Sequence, residues 1–247
     1  MLLLRRRKAV RYRAVALLMA AFAGIVCPAL AQDRRVAVTA TIPEVSIFGN
    51  REIHLADIAP FYKWTDMLSR WAAQVRDAQA CGVATTDLTQ CLPSEWIAVT
   101  GHLRGLAPRA MLDEVNHAIN AHPYVASHDN WGNGDHWETP FEFLSRNGQC
   151  EDYAITKFML LRAMGFANDQ LRIVVLRDVA RQLDHAVLVV DLDGQSWLLD
   201  SVNDAVAPIA VASQYRAYYS INETGWWLPL PNPIEFGPVH LASLHAG

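Results

Sequence analysis

Cys150 is the residue of this sequence best placed for nucleophilic chemistry. It stands directly before apolar residues at three- and four-residue spacings, which predict a helix over residues 151–164, ended by Gly165. The N–H groups and dipole of a helix N-terminus amount to roughly half a positive charge, and that charge favours thiolate over thiol. Taken alone, Cys150 has an equally good interpretation as a small buried residue of the core.

His185 and Asp200 are predicted to lie side by side on one hairpin. Residues 185–191 and 195–200 resemble strands, and between them stands Asp193-Gly194, which is among the strongest signals for a two-residue turn. That turn sets the register, so that Val202 faces His185 and Asp200 becomes a diagonal neighbour on the same face. An imidazole and a carboxylate close to a free thiol are the components of nucleophilic catalysis.

Other acids compete for the place beside His185. Asp184 is adjacent in sequence but would point to the opposite face of the strand, and Asp204 lies beyond the strand, where a loop can take it anywhere. Alone, His185 can be a satisfied histidine at a strand end and Asp200 a turn residue. Their joint placement on one face favours Asp200 as the partner of His185.

Residues 1–31 have the features of a secretory signal peptide. Six basic residues precede an apolar run over residues 14–26, and Ala29-Leu30-Ala31 matches the small-residue cleavage pattern. The apolar run is too short for a stable membrane span. We therefore predict export, cleavage after residue 31, and a single domain over residues 32–247.

Charge and cysteine content narrow the class of protein further. Loss of the six basic residues of the signal leaves 15 Lys+Arg against 25 Asp+Glu, a net charge of about −10, which speaks against nucleic acid or an anionic membrane as a partner. Cys81 and Cys91 flank a short polar loop and are predicted to form a disulfide in an oxidising compartment. Because Cys27 leaves with the signal, Cys150 is then the one unpaired thiol.

The chain before Cys150 is predicted to be mostly helical, and the chain after it to form strands. Apolar stripes predict helices over residues 61–78 and 108–119, and an alternating stretch over residues 33–50 predicts an early strand. A turn-rich segment over residues 128–140 contains two indoles and several acids. We expect this segment to form a wall or lid beside the thiol.

Taken together, these residues resemble the bacterial transglutaminase-like cysteine peptidases of the LapG type. The resemblance rests on Gly148-Gln149-Cys150-Glu151-Asp152-Tyr153-Ala154, Asp184-His185-Ala186-Val187-Leu188 and Leu198-Leu199-Asp200, preceded by Trp131-Gly132 and Trp137-Glu138-Thr139-Pro140. It implies an α+β fold of the papain-like or transglutaminase-like type, in which an N-terminal helical part packs on an antiparallel sheet. It also implies a periplasmic protease that cleaves a large surface adhesin near its N-terminus, at an alanine-rich site. Cleavage would disperse biofilm, under the control of an inner-membrane cyclic-di-GMP receptor.

The resemblance also implies a role for each residue of the predicted site. Cys150 would be the nucleophile, His185 the general base and acid, and Asp200 the residue that orients the imidazole. The backbone N–H of Cys150 and a group from the loop over residues 131–137, such as Trp137, would hold the oxyanion.

Calcium is the cofactor that the resemblance implies, bound here by Glu151 and Asp152. Two carboxylates beside a thiol oppose its ionisation, and a divalent cation would remove that conflict. Gln149 departs from the family pattern, which has an acid before the cysteine, so we expect either weaker calcium binding or recruitment of another ligand such as Asp135 or Asp129. The alternative is that both acids merely stabilise the first turn of a helix.

Two other functions remain open on the sequence alone. A transglutaminase would use the same three residues but pass the acyl group to an amine, and a binding module would keep the fold without the chemistry. A zinc hydrolase is disfavoured, because the nine histidines include no H-E-x-x-H motif.

Overall fold

The computed structural model describes residues 47–85, 87–132 and 135–230. Its helices are α1 (Tyr62–Ala84), α2 (Ser94–Leu103), α3 (Pro108–Asn120), α4 (Ser127–Trp131), α5 (Pro140–Arg146) and α6 (Cys150–Ala163). Its strands are β1 (Glu52–Leu55), β2 (Leu171–Asp178), β3 (Leu183–Leu192), β4 (Gln195–Asp200), β5 (Asn203–Pro208), β6 (Tyr215–Ile221) and β7 (Trp226–Pro229).

The strands form one antiparallel sheet in the order β1-β7-β6-β2-β3-β4-β5. All six helices lie in the chain between β1 and β2, so an N-terminal helical part precedes nearly the whole sheet. Apolar residues of α1, α3, α5 and α6 share one core with the sheet residues Leu188 and Val190, which places this helical part against the sheet. The predicted α+β architecture is confirmed.

α6 is the helix on which the core is built. Ile155, Phe158 and Leu161 are fully buried in the shared core. Because side chains alternate along a strand, Val187 and Val189 of β3 point to the opposite face, where they pack with Tyr215. The sheet is therefore covered on both faces, and the N-terminus of α6 is held against the start of β3.

The hairpin of β3 and β4 has the predicted register. Leu192 pairs with Gln195. Asp193 and Gly194 both have positive φ angles, 53° and 75°, as the two central residues of a type I′ turn must. The pairing of β3 with β4 ends at Leu188 and Leu199, and Asp200 pairs with Asn203 of β5 alone. The prediction that Val202 faces His185 is therefore wrong, since residue 202 lies in the turn that leads to β5.

Several other elements differ in extent from their predictions. The helix predicted over residues 61–78 continues to Ala84 and includes Cys81, which forms the predicted disulfide with Cys91. Of the strand predicted over residues 33–50, residues 33–46 lie outside the described part, and Ile47–Gly49 is a 3₁₀ turn. The segment over residues 128–140 is not a continuous loop, because most of α4 lies within it and α5 begins at its end.

The predicted signal peptide, residues 1–31, also lies outside the described residues. In the part that is described, none of the helices has both the length and the apolar character that crossing a bilayer requires.

Candidate active site

Cys150 is the first residue of α6, as the sequence predicts, and its side chain is half-buried. The turn into the helix is held by Asp152, whose Oδ2 accepts a hydrogen bond from the backbone N–H of Gln149 at 2.9 Å. Gly148 is required there, because a Cβ at this position would lie 2.5 Å from Oδ2 of Asp152. The sequence Gly148 to Asp152 thus fixes the direction in which the cysteine leaves the backbone.

Asp152 also ties this helix to the preceding loop. Its Oδ1 accepts a hydrogen bond from the backbone N–H of Glu138 at 2.8 Å, and its side chain is fully buried. Burial raises the pKa of Asp152 well above its usual value, and the charge of Glu151 raises it further. With a backbone donor on each oxygen, Asp152 acts as a structural residue of the helix N-terminus.

The surroundings of the sulfur favour the thiol in this structure. Burial raises the pKa of Cys150 to about 12, helped by the charge of Glu151 and by the hydrogen bond from Sγ to Oε2 of Glu151 at 3.3 Å. Backbone N–H groups of Ala186 and Glu151 act in the opposite direction. The thiolate that the helix dipole alone predicts is therefore outweighed by burial and by the adjacent carboxylate.

His185 and Asp200 form the predicted pair at the end of the hairpin. Nε2 of His185 lies 2.8 Å from Oδ1 of Asp200, and both side chains are buried. Although burial raises the pKa of Asp200, the hydrogen bond and charge of His185 and the hydrogen bond from Tyr215 lower it more, so the net shift is downward. Asp200 is therefore an ionised acceptor, and the other ring nitrogen, Nδ1, is left for a second partner.

Cys150 and His185 both line one cleft of about 510 Å³. The backbone also brings them close, because the N–H of Ala186, the residue after His185, points to the sulfur of Cys150. The walls of the cleft include Asn120, Tyr124, Tyr153 and Val202. The structure thus brings together all three residues predicted from the sequence.

The competing acids bond to groups other than the imidazole of His185, although Asp184 also lines the cleft. Asp184 is exposed and bonds to Arg177 and to the hydroxyl of Tyr218, on the opposite face of the strand, as predicted. Asp204 accepts from the side chain of Asn120 and lies close to His117, so it is not a partner of the imidazole.

The upstream loop has a structural role in the described residues. Trp137 is only 8% exposed and packs edge-to-face on Trp64 in the core. Trp131 donates its indole N–H to Oε1 of the buried Glu138. Trp137 is not among the residues that line the cleft of Cys150, so the structure offers it no contact with a substrate carbonyl there.

The two predicted metal ligands, Glu151 and Asp152, differ in the groups to which their carboxylate oxygens are bonded. The oxygens of Asp152 are both bonded to backbone N–H groups, whereas those of Glu151 are bonded to side chains, Nε2 of Gln149 and Sγ of Cys150. Asp135 is close enough for its charge to raise the pKa of Glu151. Asp129 pairs with His128 at the surface. Within the described ranges, no three residues of the His, Cys, Asp and Glu types are grouped as metal ligands.

Sequence reasoning missed three residues that support the pair. Tyr215 donates to Oδ2 of Asp200, Asn120 donates to the backbone carbonyl of Asp200, and Lys157 bonds to Asn120. All three are far from Asp200 in sequence. No local spacing signals these contacts, since they depend on the strand order and on the packing of α3 against α6.

Comparisons with known proteins agree with this geometry. A structure of LapG from Legionella pneumophila is similar, with 28% sequence identity and a TM-score of 0.50 over 57% of this chain and 80% of that one. Its EGTA-treated form gives 27% identity and a TM-score of 0.50, covering 57% of this chain and 81% of that one. Its calcium-bound form gives 24% identity and a TM-score of 0.51, covering 65% and 92%, which shows the shared fold alone. No curated protein sequence matches the chain significantly.

The family model described as bacterial transglutaminase-like cysteine proteinase matches residues 94–233. This is more than half of the chain and includes Cys150, His185 and Asp200. The chain belongs to the family of bacterial transglutaminase-like cysteine proteinases, and it is a cysteine peptidase with a transglutaminase-like fold.

Proposed function

We propose that this protein is a periplasmic cysteine endopeptidase that cleaves a large surface adhesin near its N-terminus and thereby releases it from the cell. The observation that carries the proposal is the single cleft shared by Cys150 and His185, with Asp200 bonded to the imidazole at 2.8 Å. The family supplies the reaction class. The predicted signal peptide supports the location, and the resemblance to LapG-type proteases supports the substrate.

In the proposed reaction His185 first acts as the base. The Sγ proton of Cys150 passes to the imidazole as sulfur attacks the carbonyl carbon of the scissile amide, and negative charge develops on the carbonyl oxygen. Asp200 accepts from Nε2 and stabilises the imidazolium, and it also holds Nδ1 towards the thiol side. Because the raised pKa of Cys150 favours the thiol, proton transfer to His185 accompanies the attack.

The second half of the reaction regenerates the thiol. His185 gives the proton to the departing amine, the C–N bond breaks, and the acyl group remains on sulfur as a thioester. Water then attacks the thioester and loses a proton to His185. The new carboxylic acid leaves, and the proton returns to Cys150.

The aromatic and apolar walls of the cleft suit a polypeptide substrate. The described walls combine aromatic and apolar side chains, Tyr124, Tyr153, Leu183 and Val202, with the single cation Arg181. Tyr124 and Val202 are exposed, at 62% and 52%, and so offer apolar contact to a bound polypeptide. An inner-membrane cyclic-di-GMP receptor that sequesters the protease is the regulator that we propose with this function.

The residues fit a calcium site in part. Glu151 is suitable, because the side chains of Gln149 and Cys150 that bond to its oxygens can turn away, whereas Asp152 serves the helix N-terminus. A form of the similar LapG is described as calcium-bound. We propose that Glu151 holds calcium together with the carboxylate of Asp135, which would exchange its ion pair with Lys63 for the ion, and with the amide oxygen of Gln149, which would release the backbone N–H of Ser127. Asp152 would keep its hydrogen bonds at the helix N-terminus. Bound calcium would supply positive charge beside the thiol.

Acyl transfer to an amine is the second candidate, since it needs the same three residues. The two reactions differ in their products. Incubation of the purified mature protein with proteins of the same cell envelope, followed by mass spectrometry, separates them. New N-termini show hydrolysis and new amide cross-links show transfer, while a binding module gives neither.

A further inference from the structure

Lys157 is a buried lysine for which the proposed reaction has no use. It lies on α6 seven residues after Cys150, so the two residues share one face of the helix, and its side chain is fully buried. Lysine is almost never fully buried without a partner, because removing an ammonium from water is costly. A lysine in this position therefore has a specific role.

The partners of Lys157 are two amides on α3. Its Nζ donates to Oδ1 of Asn116 and to Oδ1 of Asn120, each at 2.7 Å. An ammonium group is a donor only, and in this structure both amides turn their oxygen towards Nζ. Lys157 thereby determines the orientation of both asparagine side chains.

The amide nitrogens consequently point to the turn between β4 and β5. Nδ2 of Asn116 donates to the backbone carbonyls of Asn203 and Asp204, each at 2.9 Å. Nδ2 of Asn120 donates to the backbone carbonyl of Asp200 at 2.8 Å and to Oδ1 of Asp204 at 3.0 Å. Both ends of the turn are therefore held by amides that Lys157 orients.

This turn carries the acid of the proposed catalytic pair. β4 ends at Asp200, whose Oδ1 bonds to His185, and no further ladder pairing with β3 holds β4 beyond Leu199. The backbone of Asp200 is held instead by its pairing with Asn203 and by Asn120. Burial lowers the pKa of Lys157 to about 7, and the charges of Asp200 and Asp204 at this turn oppose that shift.

We propose that Lys157 is a positioning residue for the reaction, which holds Asp200, through the oriented amides of Asn116 and Asn120, where its carboxylate can orient His185. The role assumes the proposed function of the Cys150, His185 and Asp200 site. The buried amine thus connects the helix of the nucleophile to the hairpin of the base.

The test measures the hydrogen bond between His185 and Asp200 in the full mature protein. In protein labelled with ¹⁵N-histidine, the Nε2–H proton bonded to Asp200 gives a downfield NMR signal, which is assigned by its loss in Asp200→Asn. The second readout is the rate at which iodoacetamide alkylates Cys150. We expect Lys157→Met to shift or abolish the signal and to lower the alkylation rate at least tenfold.

Thr156→Val is the matched control. Thr156 is the neighbouring buried residue of α6, and its hydroxyl is without a hydrogen bond among the described residues. This change alters the core of the same helix but leaves the amides in place, so both readouts should match the wild type. A general loss of packing would affect both variants.

Asn120→Ala tests the same connection with less disturbance of the core, because Asn120 is only half-buried at the end of α3. It should reproduce the effect of Lys157→Met, and the double variant should add little to either single change. If Lys157→Met does not fold, Asn120→Ala decides. Wild-type signal and alkylation rate in a folded Lys157→Met or Asn120→Ala would overturn the proposal. Loss of the signal in a protein that cleaves nothing would instead refute the proposed function alone.

Discussion

The hydroxyl of Tyr215 donates to Oδ2 of Asp200 at 2.5 Å, on the oxygen opposite to the one that His185 contacts. The carboxylate is thus fixed from two sides, by a residue of β3 and a residue of β6. The backbone N–H of Val202 adds a third donor, at 3.1 Å from Oδ1. This arrangement fixes the rotation of the carboxylate and hence the plane of the imidazole.

Tyr215→Phe tests the contribution of this phenol. We expect a loss of about 1.5–3 kcal/mol in the free energy of unfolding, the usual range for a hydrogen bond to a charged group. The pKa of Asp200 is lowered in the folded protein, so its contribution to stability is present above its unfolded pKa and is lost as pH falls through the folded value. Without the phenol that folded pKa rises, and the acid-induced fall in Tm should begin at a higher pH.

Tyr218→Phe is the control for this comparison. Tyr218 lies on the same strand and donates to the exposed Asp184 at 2.8 Å. Hydrogen bonds between exposed groups contribute little to stability, so the change should leave Tm and the acid profile close to those of the wild type. Identical acid profiles for Tyr215→Phe and the wild type would show that the phenol does not stabilise the ionised carboxylate.

Gly148→Ala tests the helix entry that positions Cys150. The added Cβ would lie 2.5 Å from Oδ2 of Asp152, so the carboxylate must leave the N–H of Gln149. We expect a loss of about 1–3 kcal/mol in stability, typical of overpacking, together with reduced activity. Gly101→Ala in α2 is the control, since a Cβ there meets nothing within 4 Å. A Gly148→Ala protein with unchanged Tm and activity would contradict this account.

The disulfide of Cys81 and Cys91 is expected in protein recovered from the periplasm. Mass spectrometry without reductant should find these two cysteines linked and Cys150 as the one alkylated thiol of the mature chain. Replacing both with serine should lower the free energy of unfolding by about 3 kcal/mol, because a short loop is no longer closed in the unfolded state. Three alkylated thiols in the mature protein would remove the argument that isolates Cys150.

Calcium is expected to raise both activity and Tm. Chelation should lower them, and calcium should restore them better than magnesium, whose strict octahedral geometry suits an irregular site poorly. Glu151→Gln keeps the shape of the side chain but removes its charge, so it should abolish the calcium-dependent rise in Tm. Full activity and an unchanged Tm after exhaustive chelation would leave Glu151 as an acid of the first helical turn.

The main components of the site could be predicted because each depends on local sequence. The position of Cys150 follows from the helical pattern behind it, and the hairpin register follows from Asp193-Gly194. That register placed Asp200 beside His185 although Val202 proved to lie in a turn. Local signals therefore placed Cys150 at a helix N-terminus and Asp200 beside His185, as the structure has them.

The supporting residues could not be predicted, because their contacts depend on the tertiary fold. Tyr215 reaches Asp200 from β6, on the far side of β2 and β3 in the sheet, and Lys157 acts through amides on another helix. The role of Asp152 was equally hidden, since a carboxylate near a helix N-terminus can bind a metal or bond to the backbone. The burial that raises the pKa of Cys150 is likewise a property of the folded chain alone.

The central claim is that Cys150 attacks the substrate, with His185 as its base. The most direct measurement compares the wild type with Cys150→Ala at equal concentration, counting new N-termini formed in envelope proteins by quantitative N-terminal labelling. Both proteins should have similar Tm values, because Cys150 is only half-buried. The account predicts new N-termini with the wild type and none above background with Cys150→Ala. The same N-termini at the same rate from Cys150→Ala would contradict it.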